Sequence, residues 1–81
     1  MTFHEAVLWC AGHSAVLKFT WDEEGLSGRF TLTLPSGQSW GNVYHPNSFE
    51  SMFPYTVECF AANLAKGSCM EVVRKYIKQS A

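Results

Sequence analysis

Leu26-Ser27-Gly28-Arg29-Phe30-Thr31-Leu32-Thr33-Leu34 alternates almost without fault. Leu26, Gly28, Phe30, Leu32 and Leu34 point one way, and Ser27, Arg29, Thr31 and Thr33 point the other. Side chains in a strand alternate with period 2, so this stretch predicts a half-buried strand. The preceding stretch repeats the pattern, with Ala15, Leu17, Phe19 and Trp21 set against Val16, Lys18 and Thr20. Between the two lies Asp22-Glu23-Glu24-Gly25, a polar turn with a glycine. A β-hairpin is therefore expected at the centre of the chain, with strands over about 14–21 and 26–34.

Helical signals flank it. Thr2 followed by Glu5 fits a capping box, and Gly12 fits the glycine just past a helix end. The alternation of Phe3, Glu5, Val7 and Trp9 would also suit a strand, but the terminal signals favour a helix. Downstream, Pro35-Ser36-Gly37 ends the second strand, and 38–44 predicts a third strand with Trp40, Asn42 and Tyr44 on one face. Asn47 with Glu50 reads as a helix start, and Phe49, Phe53, Val57, Phe60, Ala61 and Leu64 share a helical phase. Pro54 falls within that run, so a kink or a break is expected there. Lys66-Gly67 closes the segment. Ser68 and Glu71 fit a second capping box, which opens a last helix carrying Val72, Val73, Tyr76 and Ile77 on one face.

The expected fold is a single α+β domain over residues 1–81. It has a three-stranded antiparallel meander, with an N-terminal helix and two C-terminal helices packed on one face. The opposite sheet face would carry Val16, Lys18, Thr20, Arg29, Thr31 and Thr33 and be wet or open to a partner. Two edge strands are left, each with at most one charge, so monomer and homodimer are both compatible with the pattern.

Composition narrows the function. The 81 residues are 47% hydrophobic and 15% aromatic, enough for a core without metal or disulfide staples. The formal charge of −1 argues against duplex binding as the main task. The three cysteines, Cys10, Cys59 and Cys69, are an odd number at unrelated spacings and are expected reduced, in a cytoplasmic protein. No signal peptide or membrane span is expected.

Candidates for chemistry are few. Cys10 and His13 have C-x2-H spacing, but Cys59 and Cys69 do not form the second close pair that a structural zinc site uses. Cys69, at a helix start, is the best-placed thiol for a lowered pKa, yet it lies in no nucleophile motif. Asp22, Glu23 and Glu24 read as a solvated acidic turn rather than a general acid. Neither catalytic nor metal residues are expected, and no cofactor.

Aromatic surplus is the stronger signal. Trp40, Tyr44, Phe49, Phe53 and Tyr55 crowd a short segment, more than a small core absorbs easily. Such residues are enriched at protein interfaces. The expected protein-binding residues are Asp22, Glu23, Glu24, Trp40, Tyr44, Phe53 and Tyr55. One alternative, a nucleic-acid-associated accessory protein, would use Arg29, Arg74, Lys75 and Lys78, and its binding would depend strongly on salt; a small cysteine- or metal-dependent enzyme is the lesser alternative.

In size and build the chain resembles the small inhibitor proteins of phages and mobile elements, of which the anti-CRISPR proteins are the best-known group. The resemblance implies a non-enzymatic chain in the host cytoplasm that binds a large nucleoprotein surveillance complex. With a charge this close to neutral, a steric plug suits the chain better than a DNA mimic.

Overall fold

The computed structural model describes residues 1–22 and 27–80, with side chains through residue 78. Along the chain run α1 (Phe3–Gly12), β1 (Val16–Trp21), β2 (Gly28–Thr33), β3 (Ser39–Tyr44), a 3-10 turn (Pro46–Ser48), α2 (Phe49–Lys66) and α3 (Met70–Ser80). The sheet is an antiparallel meander in the order β1-β2-β3. The expected architecture is the one observed. Glu23, Glu24, Gly25 and Leu26, and with them most of the acidic turn, lie outside the described residues.

Local chemistry sets the helix ends. Thr2 Oγ1 accepts the Glu5 N–H at 3.1 Å while Glu5 Oε1 accepts the Thr2 N–H at 2.8 Å, which is the capping box read from the sequence. Gly12, however, is the last helical residue and not the residue beyond the end. The left-handed position falls on Ser14, with φ 55°. There the Ala15 N–H donates to Cys10 O and the Ser14 N–H to Ala11 O, a Schellman pair that satisfies the last carbonyls. α2 ends as expected, with Gly67 at φ 74° and its N–H on Asn63 O at 2.8 Å.

Further expectations need correction. The helix after Pro46 begins at Phe49, not Asn47, because Pro46–Ser48 forms a 3-10 turn in which Ser48 Oγ accepts the His45 N–H. Of the kink or break expected at Pro54, the break does not occur: α2 runs unbroken through the proline, which has no N–H for the carbonyl four residues back. Burial of Phe53, Val57 and Phe60 on both sides of the proline outweighs that loss. At α3, Ser68 Oγ accepts from the Met70 N–H, but the Glu71 carboxylate turns to Lys66 at 3.2 Å instead of closing a capping box. Ile77, placed by its phase on the apolar face, is exposed.

The core is built from Ala6 on α1, Phe30 and Leu32 on β2, Tyr44 on β3, and Phe53, Val57 and Phe60 on α2. Thr56 is the buried polar residue of this layer. Its hydroxyl donates to Met52 O at 2.8 Å and accepts from Asn42 Nδ2 at 3.3 Å, which ties α2 to β3. α2 packs on β3, with α1 and α3 against it. Facing away from the helices, Val16, Lys18, Thr20 and Arg29 are exposed and Thr31 and Thr33 half-buried, as expected for a wet sheet face.

Candidate functional site

Burial is uneven across the sheet. In β2 Gly28, Phe30 and Leu32 are buried, whereas every residue of β1 is exposed. The register places Leu17 beside Leu32 and Phe19 beside Phe30, so the odd residues of β1 belong to the helix-facing side. An α-helix with its side chains is about 10 Å across and strands lie about 4.8 Å apart, so one helix covers about two strands. α2 covers β3 and β2. The helix-facing side of β1 is left open, with Leu17 36%, Phe19 43% and Trp21 54% exposed.

α1 forms the other wall of this opening. Phe3 and Val7, one turn apart, are 42% and 44% exposed. The floor is the half-buried Phe49 ring, whose centroid lies 6.2 Å from Phe3, 5.4 Å from Phe19 and 5.2 Å from Tyr44. Trp21 adds an edge contact to Tyr44 at 5.3 Å, passing over Gly28. A Cβ at Gly28 would lie 2.7 Å from Thr20 O and 3.1 Å from the indole, so only glycine lets the two rings meet.

The backbone phase of β1 follows from its last bond. The Asp22 N–H donates to Ser27 O at 3.0 Å. In an antiparallel ladder the residues that exchange bonds alternate along the strand. With the observed register, Thr20, Lys18 and Val16 therefore turn their N–H and C=O groups to β2, and Trp21, Phe19 and Leu17 turn theirs outward. The residues with open apolar side chains thus also present the open backbone edge. On the far edge, by contrast, the Val43 N–H is taken by Asn42 Oδ1 at 2.9 Å.

Of the residues expected at a binding surface, Glu23 and Glu24 lie outside the described residues, and the described ones are not brought together. Tyr44 and Phe53 are core residues at 5% and 3% exposure. Trp40 is half-buried and stacks on Phe60 at 6.0 Å, and Tyr55 meets Tyr76 edge-on at 4.7 Å between α2 and α3. Of the aromatics of 40–55, Tyr44 and Phe53 build the core, Trp40 and Phe49 pack on it, and the uncovered aromatics lie on α1 and β1. Asp22 is exposed and accepts from Ser27 Oγ at 3.2 Å. The basic set divides: Arg29 faces away from the helices, while Arg74, Lys75 and Lys78 are exposed on α3, which packs on α2.

The titratable groups serve the helix layer. Glu58 on α2 receives the Met1 ammonium and Lys75 Nζ at 3.1 Å each and the Tyr76 hydroxyl at 3.0 Å. Burial pushes its carboxyl up, but these three partners outweigh burial and hold it below the usual glutamate range. Tyr76 is pushed up to about 12 by burial and by its bond to Glu58. Cys59 is buried and pushed up to about 11, first by burial and then by Cys69 beside it, so it is a protonated, inert thiol at neutral pH. Burial also raises Cys10. His13 stacks on Trp9 at 4.0 Å with Nδ1 2.8 Å from Trp9 O, as part of the α1 terminus. Among the described residues no three His, Cys, Asp or Glu side chains group so as to hold a metal ion, and no helix is long and apolar enough to cross a membrane.

The open α1–β1 face escaped sequence reasoning because alternation shows which side a residue takes, not whether anything covers it. The width of one helix against three strands was the available signal. Comparison with known proteins finds no family model, no curated protein and no solved structure that matches this chain.

Proposed function

We propose that this chain is a non-enzymatic protein-binding module whose contact surface is the α1–β1 face. The observation that carries the reading is the set of exposed apolar side chains, Phe3, Val7, Leu17, Phe19 and Trp21, on two elements that meet at the Phe49 ring, beside the edge strand β1. Exposed apolar surface of this kind marks interaction sites in small domains. An extended segment of a partner can add to such an edge, with main-chain bonds giving affinity and side-chain pockets giving selectivity. The role we assign is inhibition. The chain occupies the surface of a host protein or nucleoprotein complex, such as a CRISPR-Cas surveillance complex, in the cytoplasm. Its charge of −1 suits steric occlusion rather than mimicry of a polyanion.

Affinity recovery from bacterial lysates with the untagged face free tests the reading. A stoichiometric partner is expected with the native chain and with Ile77→Ser, and is lost with Trp21→Ser. Ile77 is 63% exposed on α3 and serves as the control. Equal recovery with both variants, or no stoichiometric partner from several hosts, would overturn it.

A further inference from the structure

We propose that, in the isolated chain, the β1 edge is occupied by β1 of a second copy, in antiparallel pairing about a two-fold axis at Thr20; this rests on reading the α1–β1 face as the contact surface and names its occupant.

Backbone chemistry restricts the possible registers. Leu17, Phe19 and Trp21 turn their N–H and C=O groups outward, so bonds form only where odd residues face odd residues. The residue numbers across such a pair sum to an even value. Any other pairing sets outward groups against inward ones.

Side chains then choose among the even registers. Lys18 is the single charge within β1, and Asp22 follows the strand on the same outer face, two positions past Thr20. A two-fold at Lys18 would set two ammonium groups directly opposite each other, which is destabilising. A two-fold at Phe19 sets Lys18 against Thr20 and Asp22 against Val16, with no charge matched. A two-fold at Thr20 sets Lys18 against Asp22 of the other copy, twice over. It also pairs threonine with threonine and Phe19 with Trp21, the aromatic and hydroxyl pairs that stabilise antiparallel ladders. Phe19 and Trp21 become the bonded pairs, each exchanging two main-chain bonds.

The helix-facing side gains as well. Residues directly opposite in a ladder share a face, so Phe19 and Trp21 of both copies come together beside the two Phe49 floors. The product is a six-stranded sheet with both open faces merged. On the far edge Asn42 already caps one outward group, the Val43 N–H, which leaves that edge less open. An interface of one strand and its flanking rings lies at the small end of specific contacts, so a weak, reversible dimer is expected.

Sedimentation equilibrium from about 1 μM to 1 mM, on the native chain and three charge variants, tests the pairing. Lys18→Glu and Asp22→Lys singly set like charges opposite each other and are expected to weaken the dimer about tenfold each. The double variant carrying both exchanges the charges and is expected to restore it. Both side chains are exposed, and circular dichroism confirms that the variants stay folded. Amide exchange at Phe19 and Trp21 is expected to slow as concentration rises. A monomer throughout, a dimer indifferent to the single exchanges, or a double variant as weak as the singles would overturn the inference. A native monomer that still captures a partner through Trp21 removes the dimer and leaves the binding module standing. The expected dimer with no captured partner removes the inhibitory role and leaves the pairing.

Discussion

Phe19 and Phe30 face each other across the β1–β2 ladder with ring centroids 6.4 Å apart, yet Phe30 is fully buried while Phe19 is 43% exposed. Their strands share composition, alternation and register. What separates them is whether α2 lies overhead. Under the helix an apolar strand is core; half a helix width away the same strand is contact surface. Function in this fold is assigned by coverage rather than by residue type.

The sharpest way to break the comparison is to truncate both rings. Phe30→Ala leaves a cavity among Phe53, Tyr44 and Phe49 and is expected to cost about 3–5 kcal/mol. Phe19→Ala removes a ring already half in water and is expected to cost about 1–2 kcal/mol. Urea denaturation of the two variants at low micromolar concentration checks this. Equal losses would mean that β1 is covered after all.

Gly28 stands at the boundary between the two regions. Gly28→Ala drives a methyl group against Thr20 O and the Trp21 indole. It is expected to destabilise by about 1–3 kcal/mol, since close-packed sites tolerate added atoms poorly. A shift in Trp21 fluorescence, as the indole leaves Tyr44, would accompany the loss in a thermal melt.

The helix layer responds to acid through Glu58. Glu58 titrates lower in the folded chain than in the unfolded one, so its stabilising contribution is complete above the unfolded value near 4.5. As pH falls through the folded value that contribution is lost, because the unfolded chain takes up the proton first. Glu58→Gln is expected to cost about 1 kcal/mol at pH 7 and to flatten the acid limb of a stability–pH profile. Native and variant chains should converge once the pH lies below the lowered folded value.

Tyr44 gives the smallest effect, of opposite sign. Its ring is buried beneath Phe19 and Trp21, and its hydroxyl has no hydrogen-bond partner among the described residues. Tyr44→Phe removes an unsatisfied buried group and is expected to raise stability by about 1 kcal/mol, seen as a higher melting temperature. A lower melting temperature would show that the hydroxyl is satisfied.

Much of this architecture was legible in the chain because it rests on local rules. Alternation marked the strands, and Thr2 with Glu5 and Lys66-Gly67 marked helix ends that hold to within a residue or two. Failures came where local signals compete with contacts made elsewhere. Gly12 looked like the left-handed residue, but the Schellman pair formed two positions on at Ser14. Glu71 looked like a cap, but Lys66 lay closer to hand. The site was the least legible. Tyr44 and Phe53 were surplus aromatics by count, and the packing of Phe30 and Phe49 against both makes them core. Composition says how much apolar surface must be buried; it does not say which part is left over.

Ser14 has a mechanical consequence for the contact face. α1 and β1 are joined only by His13, Ser14 and Ala15, and these two elements are the walls of the opening. The packing of α1 on α2 and one left-handed residue in this joint, with φ 55°, together set the angle between the walls. A side chain confines that conformation to a narrow well, so the joint is stiff and holds the groove at one width. Glycine there would free the rotation and turn a set aperture into an adjustable one.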